Sequence, residues 1–330
     1  MSVNPTVKEV ALRSGVSTAT VSRVVNRDPR ISSKTSSKVW KAIEDLNYSP
    51  NPFARGLKTS KSRAIGFIAP EFANDFFMGI AKGVESRLRE DQYSLVICNA
   101  NENVQDERDR LVLLLEQGVD GIIVIPSSHD GAHFKRAQNQ KIPVVLVDRL
   151  VDGFDGDAVL ADNVSGTYKA LEQAISEGIR EIAFIGGNQT LTSARERYDG
   201  YRRALEDSGI SFRKETVLFG DFHADSGYRL MGELMSLKSP PACVFISNYF
   251  MHVGATRYLM ERRDSLKLVP EIISFDEMEL SFTLGYCRTI VRQPILDIGR
   301  KAAELLLGRI SGRETTASQV LRLQTDIIRR

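Results

Sequence analysis

One face of a short predicted helix near the N-terminus carries small hydroxyl groups, a methyl group and a guanidinium. The residues on this face are Thr18, Ala19, Thr20, Ser22, Arg23 and Asn26. Such groups can hydrogen-bond to phosphates and base edges when a helix N-terminus enters the DNA major groove. The pattern therefore predicts a DNA-reading helix, with a helix pair whose polar face is merely solvated as the alternative.

Two helices joined by a glycine turn are predicted to position this face. Thr6 and Glu9 have capping-box spacing at the start of the first helix. Gly15 tolerates the positive φ that a sharp turn requires, and Ser17 is a good N-cap for the second helix. The inward faces are expected to carry Val7, Val10, Ala11, Val21, Val24 and Val25. A third helix, capped near residues 32–33 and ending near 47–48, is expected to pack through Val39, Trp40, Ile43 and Leu46.

Charge divides the chain into a basic head and an acidic body. Residues 1–63 contain 12 Lys and Arg against 4 Asp and Glu, so the remaining residues carry 32 against 38. A basic domain of this size indicates a polyanionic partner, and phosphate neutralisation makes such binding depend steeply on salt. Charge alone does not separate DNA from RNA or a membrane.

The segment 48–63 combines helix-ending prolines with a short helical pattern. Pro52 suits a first helical position, and residues 53–59 form the candidate helix. At about two turns, with an interior glycine, this helix is too short to be stable alone. Leu57 lies between Arg55 and Lys58, a composition typical of a minor-groove wedge whose basic neighbours hold the backbone. The alternative is a flexible linker.

These motifs resemble the lactose repressor family of transcription regulators (LacI/GalR type), and the resemblance covers the whole chain. The residues that carry it read TVKEVA, GVSTATVSRVVN and NPFARGL. The resemblance implies base-reading roles for Thr18, Ala19 and Arg23 and a wedge role for Leu57. It implies phosphate-contacting or helix-positioning roles for Thr20, Ser22 and Asn26. The full predicted DNA-binding set also contains Thr6, Ser17, Arg55 and Lys58.

The remaining residues alternate short apolar runs with helical patterns, which is typical of parallel sheets covered by helices. Strands are predicted at 64–69, 93–100, 121–125, 144–147, 181–185, 217–219, 242–246 and 272–275. The expected fold is an all-α helix-turn-helix headpiece (1–48), a hinge (49–62) and a two-lobed α/β domain like the periplasmic binding proteins (63–330). The first lobe is expected to span 63–161 and 293–320, and the second 162–292 and a C-terminal strand.

Ligands bind at the carboxyl ends of parallel strands, so the loops there are the places to look for chemistry. They offer Phe76, Phe77, Asp148, Arg149, Ser193, Arg195, Arg197, Phe222, Asn248, Tyr249 and Asp276. Aromatic rings can cover the C–H face of a sugar while carboxylate, amide and guanidinium groups satisfy its hydroxyls. Phe77 and Asp148 fit packing or capping roles equally well.

The resemblance implies an effector site for the same loops. Phe76, Phe77, Ser193, Arg197, Phe222 and Asp276 match the family's effector-contacting positions. The family usually has Asn-Asp where this chain has Asn248 and Tyr249, so one carboxylate is missing. Arg149 and Arg197 are suited to a carboxylate or phosphate, which leaves a neutral sugar, a sugar acid and a sugar phosphate as candidates.

Other chemistries find little support in the residues. Cys98, Cys243 and Cys287 lie in or beside apolar runs without a CxxC pair. The four histidines are scattered, and His129 and His133 have i, i+4 spacing but no accompanying HExxH pattern. No nucleophile, phosphate loop or dinucleotide motif is present, so neither catalysis nor a cofactor nor a metal is expected. No apolar run approaches the roughly 18 residues of a membrane span, and a cytoplasmic chain is expected.

The sequence predicts a sequence-specific DNA-binding regulator whose operator affinity is switched by a small carbohydrate-derived metabolite. A repressor is favoured over a dual regulator. No heptad repeat follows the strand-like residues 320–323, so a homodimer on a palindromic operator is expected. The alternatives are a secreted solute-binding receptor, which would lack the basic head, and an enzyme on a Rossmann-like sheet.

Overall fold

In the computed structural model, the chain separates into two units, Met1–Ser62 and Arg63–Arg330. The structure describes residues 5–25, 28–48, 62–211, 213–277, 281, 286–313 and 317–329. The predicted hinge residues Arg55, Leu57 and Lys58, together with Asn26, lie outside these ranges.

Three helices form the described part of the N-terminal unit: α1 (Val7–Ser14), α2 (Thr18–Val25) and α3 (Ser33–Asp45). Both hydrogen bonds of the predicted capping box between Thr6 and Glu9 are present, and Gly15 ends α1 with φ 68°. Ser32 caps α3 by accepting a hydrogen bond from the backbone N–H of Thr35. The core of this unit contains Val10, Ala11, Val21, Val24, Val39, Ala42 and Ile43.

Two residues predicted for this core are exposed. Val7 is 36% exposed and Trp40 is 43% exposed. Val7 lies in the first turn of α1, one turn before the core residue Val10. Trp40 follows the buried Val39, and one residue rotates the side chain by about 100° around a helix. Val25 is only half-buried.

The second unit contains two six-stranded sheets, with helices between most successive strands. The first sheet has the order β11-β5-β4-β3-β1-β2, and its strand pairs are all parallel. Its strands are β1 (Ala64–Ala69), β2 (Ser94–Asn99), β3 (Gly121–Val124), β4 (Val144–Val147), β5 (Asp157–Ala161) and β11 (Val320–Leu323). Its helices are α4 (Asp75–Glu90), α5 (Val104–Glu116), α6 (Lys135–Asn139) and α11 (Ile295–Ile310), with a 3-10 turn at Ala132–Phe134.

The second sheet has the order β12-β10-β9-β8-β6-β7, with only the β10–β12 pair antiparallel. Its strands are β6 (Ile182–Gly186), β7 (Val217–Phe219), β8 (Cys243–Ile246), β9 (Glu271–Phe275), β10 (Cys287–Arg292) and β12 (Asp326–Arg329). Its helices are α7 (Asn163–Ser176), α8 (Thr192–Asp207), α9 (Ala224–Met235) and α10 (Tyr249–Arg262), with 3-10 turns at Lys214–Thr216 and Arg263–Ser265.

Each sheet, with its helices, forms one lobe, and the chain passes from one sheet to the other after β5, β10 and β11. We call them the N-lobe and the C-lobe. The sequence did not predict β5 or β10. The C-terminal strand expected in the second lobe is β12, and β11 extends the N-lobe to Leu323. Asp157, at the start of β5, is buried and accepts two 2.7 Å hydrogen bonds from Arg309 of α11. This ion pair fixes a late helix to an early strand.

No helix in the described ranges has the length and apolar content needed to cross a membrane.

Candidate functional site

The α2 helix presents the predicted DNA-reading side chains. Thr18, Ala19 and Arg23 are exposed, whereas Thr20 and Ser22 are half-buried. Ser17 starts the helix because its Oγ accepts a 3.1 Å hydrogen bond from the backbone N–H of Thr20. Val21 and Val24 of α2 point into the core, so the polar side chains on the opposite face of the helix point outward.

Ten residues predicted for an effector site line a single cavity of about 540 Å³ in the second unit. They are Phe76, Phe77, Asp148, Arg149, Ser193, Arg197, Phe222, Asn248, Tyr249 and Asp276. The N-lobe supplies the first four and the C-lobe the others, so the cavity lies between the lobes. Arg195, two residues from Arg197, is instead exposed and donates to the backbone carbonyls of Gln189 and Thr190.

Three of these residues have a left-handed backbone that is uncommon for residues other than glycine. Asp148 follows β4 with φ 70°, Phe222 follows β7 with φ 72°, and Asp276 follows β9 with φ 73°. Such conformations are costly, and they concentrate at sites where side-chain direction matters for function. Each of the three residues lies shortly after a strand, where the chain begins to line the cavity.

Arg197 is the most fully engaged polar side chain of the cavity. It is 4% exposed on α8. Its Nε donates to Asn163 at 2.9 Å, and its Nη1 donates to the carbonyl of Ser247 at 2.6 Å. The guanidinium carbon lies 3.9 Å from the centroid of the Phe275 ring. These contacts from three elements fix the guanidinium in one orientation.

Asp276 faces Arg197 across the cavity floor. Its Oδ2 lies 3.8 Å from Arg197 Nη1, and its Oδ1 accepts a 2.6 Å hydrogen bond from Gln293. Burial raises the pKa of Asp276, while the Arg197 charge and the Gln293 hydrogen bond oppose that rise. The carboxylate is therefore held in a place where burial disfavours its charge.

A second guanidinium–carboxylate pair comes from the N-lobe. Arg149 Nε donates to Asp148 Oδ2 at 2.9 Å, and both side chains are buried. On the opposite side, Asn248 caps α10 by accepting from the N–H of Met251 at 3.0 Å. Asn248 Nδ2 also donates to the carbonyl of Phe222 at 2.9 Å. The amide thus connects two cavity-lining segments of the C-lobe.

Aromatic rings line both lobes. Phe76 and Phe77, predicted in a loop, lie in the first turn of α4, which Asn74 caps. Their ring centroids are 5.5 Å apart in an edge-to-face arrangement. Tyr249 is the first residue of α10, and burial together with the nearby charge of Asp75 raises the pKa of its phenol. Its hydroxyl is therefore neutral and can both donate and accept.

The sequence did not identify several residues that complete the site. Glu102 and His223 line the cavity from opposite lobes, with His223 Nε2 3.0 Å from Glu102 Oε2. Asn163, Ser247 and Gln293 hold Arg197 and Asp276 from behind. Further lining residues are Pro70, Glu71, Ala73, Asn74, Ser127, Asn188, Leu191, Asp221 and Phe250. They have no local motif, because the fold brings them together from separate loops.

Two family descriptions match the chain. Residues 6–51 match "Bacterial regulatory proteins, lacI family". Residues 62–330 match "Periplasmic binding proteins and sugar binding domain of LacI family". The first match covers α1, α2 and α3, and the second covers the unit that contains the cavity.

Curated relatives match along most of their length. The HTH-type transcriptional repressor PurR of Actinobacillus pleuropneumoniae serotype 5b (strain L20) is 32% identical over 305 residues, covering 92% of this chain and 91% of that protein. Catabolite control protein A of Priestia megaterium is 32% identical over 322 residues, covering 97% of each. These relatives are named as regulators, so the enzyme alternative has no support among them.

Solved structures show the same fold. The Lac repressor dimer bound to operator and the anti-inducer ONPF matches with a TM-score of 0.85 at 25% identity, covering 99% of this chain and 98% of that one. The transcriptional regulator CelR in complex with cellobiose matches with a TM-score of 0.72 at 31% identity and 98% coverage of both chains.

Proposed function

The chain belongs to the LacI family of bacterial DNA-binding regulators, and from this we propose that it is a repressor whose operator affinity is set by an uncharged, hydroxyl-rich metabolite. The metabolite binds in the cavity between the N-lobe and the C-lobe. The headpiece reads DNA through Thr18, Ala19 and Arg23 of α2, supported by the helix-start residues Thr6 and Ser17. Thr20 and Ser22 contact phosphates or position the helix.

The pairing of each cavity arginine with an aspartate carries the proposal of an uncharged ligand. Arg149 lies beside Asp148 and Arg197 faces Asp276, so neither guanidinium brings an uncompensated positive charge. The lining also contains the acidic Glu71, Glu102 and Asp221. A phosphate or carboxylate would meet net negative charge in a partly dry site, where repulsion is strong.

Hydroxyl groups suit the same surroundings better. Each hydroxyl both donates and accepts, and neighbouring guanidinium and carboxylate groups offer one partner of each kind. The rings of Phe76, Phe77 and Phe222 provide apolar surface for the C–H face of such a ligand. The cellobiose complex of CelR supports an uncharged sugar as the starting candidate.

The regulatory step is a coupling between cavity closure and DNA binding. The related Lac repressor binds its operator as a dimer, and we assign the same assembly to this chain. Ligand-induced movement of the lobes changes the spacing of the two headpieces and so favours or opposes pairing of the Leu57-containing hinge segments. A coupling of about 1–3 kcal/mol is enough for a switch. The site of action is the cytoplasm, where bacterial operators are found.

The first experiment selects the purified full-length protein against random double-stranded DNA at moderate salt. We expect enrichment of a palindrome whose half-sites are lost when Arg23 is replaced by alanine. Arg13→Ala is the control, because Arg13 pairs with Asp45 in the headpiece and lies outside α2. Failure to enrich any sequence would overturn the repressor proposal.

A second experiment identifies the class of metabolite. Thermal stabilisation is measured with D-ribose, D-glucose, D-galactose and cellobiose, with the corresponding sugar phosphates and sugar acids, and with uncharged nucleobases. Preferential binding stabilises the folded state. We expect stabilisation by an uncharged sugar. Stabilisation by a phosphate or acid alone would show that the charge argument is wrong, and stabilisation by a nucleobase alone would show that the hydroxyl argument is wrong.

A further inference from the structure

Gly187, which follows β6, lies directly against the ring of Phe222. A Cβ atom on Gly187 would be 2.1 Å from Cζ, 2.3 Å from Cε1 and 2.4 Å from Cε2 of that ring. The φ angle of Gly187 lies outside the left-handed range, so its backbone is open to other residues. The Phe222 ring, rather than the backbone, therefore requires a residue without a side chain here.

We propose that Gly187 is a positioning residue that determines ligand specificity. Because it has no side chain, the Phe222 ring can occupy the adjacent space and form an apolar wall of the ligand cavity. The proposal rests on the proposed function only for the identity of the ligand.

The backbone around Phe222 is held on both sides. The Phe222 carbonyl accepts a 2.9 Å hydrogen bond from Asn248 Nδ2. The next residue, His223, donates its N–H to Asp221 at 3.0 Å and accepts from Ser226 Oγ at 2.9 Å. Because these bonds hold the loop, an added methyl group on Gly187 displaces the ring rather than the backbone.

The packed C-lobe core limits where the displaced ring can move. Phe222 is half-buried, packs against the C-lobe core and lines the cavity. Interiors are close-packed, so the ring moves into the cavity and takes up space that the ligand needs. The preceding Gly186 differs, because a Cβ there would meet Phe184 and Phe219, neither of which lines the cavity.

The test compares Gly187→Ala with a matched control, Gly232→Ala. Gly232 also faces an aromatic ring, with its Cβ position 2.9 Å from Tyr258 Cε2, but neither residue lines the cavity. Crystal structures of both ligand-free variants are determined. We expect the Phe222 ring to shift into the cavity in Gly187→Ala alone, with residues 220–223 keeping their backbone. An unmoved ring, or a shifted backbone at 186–188, would overturn the proposal.

Binding is then measured by calorimetry with whichever of D-ribose, D-glucose, D-galactose and cellobiose most stabilises the wild-type protein. We expect Gly187→Ala to weaken binding about tenfold and Gly232→Ala to leave it unchanged. In a Phe222→Ala background, Gly187→Ala should cause no further loss, because the ring it displaces is gone. An equal loss in both backgrounds contradicts the proposal. If none of the four sugars binds the wild-type protein, the proposed sugar class fails while the crystal structures still decide the role of Gly187.

Discussion

Arg197 links the cavity to four surrounding groups, and its removal should abolish the response to the metabolite. Arg197→Ala removes the contacts to Asn163, Ser247, Asp276 and Phe275 at once. Leaving a buried carboxylate without its partner also destabilises a fold by about 3–5 kcal/mol, so the melting temperature should fall. Operator binding without metabolite, measured well below that temperature, should stay near the wild-type value.

Arg195→Ala is the matched control for this prediction, because Arg195 lies on the same helix but donates only to loop carbonyls outside the cavity. It should retain the full response in an operator-release titration. An Arg197→Ala variant that releases operator at the wild-type metabolite concentration would show that the cavity is not the effector site.

Asp276 makes the stability of the ligand-free protein depend on pH. Because burial raises its pKa above the ordinary 3.8, the folded state binds the proton more tightly than the unfolded state. The stability gained from this protonation is complete below 3.8 and is lost as pH rises through the folded-state pKa. The free energy of unfolding of wild type relative to Asp276→Asn should therefore fall over that interval and level off above it.

Urea unfolding of both proteins between pH 3.5 and 8 measures this difference. If the free-energy difference between wild type and Asp276→Asn rises with pH, then Arg197 and Gln293 lower the pKa of Asp276 by more than burial raises it. The same variant should bind the metabolite more weakly, since the cavity loses a charged acceptor.

At the scale of the elements, the turn between α1 and α2 sets the orientation of α2, which we propose reads DNA. Gly15 has φ 68°, and a Cβ there would meet no atom within 4 Å. Gly15→Ala therefore costs only backbone strain, about 1 kcal/mol. The N-terminal unit should unfold at a lower temperature while metabolite binding is unchanged.

Trp40 reports this unfolding selectively, because it is the single tryptophan of the chain and lies on α3. Leu12→Ala is the control, since Leu12 is 84% exposed in the same helix and should contribute little. A fluorescence melting curve of Gly15→Ala that matches the control would exclude a structural role for the left-handed turn.

Elements with a strong local signal were predicted from the sequence, and those defined by distant partners were not. The capping box at Thr6 and the continuous apolar runs of β3 and β4 identify their elements without further information. By contrast, β5 begins with Asp157, a buried carboxylate whose partners Arg309 and Gln319 come from the distant C-terminal part of the chain. The pattern also placed Phe76 in a loop, since Asn74 as an N-cap becomes evident only from the helix that follows.

The cavity shows the same division. Ten of the residues that line it were predicted because their types and their positions after strands indicate ligand chemistry. The supporting residues Asn163, Ser247 and Gln293 were missed because they are far apart in the sequence. Asn163 begins α7, Ser247 follows β8 and Gln293 follows β10. The contact between Gly187 and Phe222 joins two loops that are far apart in the chain, and Phe222 has a left-handed φ angle. Such contacts between distant residues produce no pattern in the local sequence.

At the scale of the whole molecule, the N-lobe has an apolar edge that a second copy can cover. Strand β2 lies at the end of its sheet, and Val96 and Ile97 within it are 40% and 42% exposed. Leu113 of α5, which packs beside β2, is 41% exposed. Exposed apolar edge strands invite pairing or association, and soluble chains normally cover them. We therefore predict that this edge lies in the dimer interface.

Placing a lysine on this edge should separate the dimer and, with it, the high-affinity operator complex. In the dimer, binding of one headpiece raises the effective concentration of the other at the second half-site, which contributes about 10²–10⁴ in affinity. Val96→Lys and Ile97→Lys should give monomers in analytical ultracentrifugation and lose operator affinity by that order.

Leu268→Lys is the control, because Leu268 is equally exposed at 41% but lies in the C-lobe after α10. Metabolite binding should survive in all three variants, since none of these residues lines the cavity. A Val96→Lys protein that stays dimeric would move the interface to another face of the molecule, whereas a monomer with undiminished operator affinity would show that a single headpiece is sufficient for recognition.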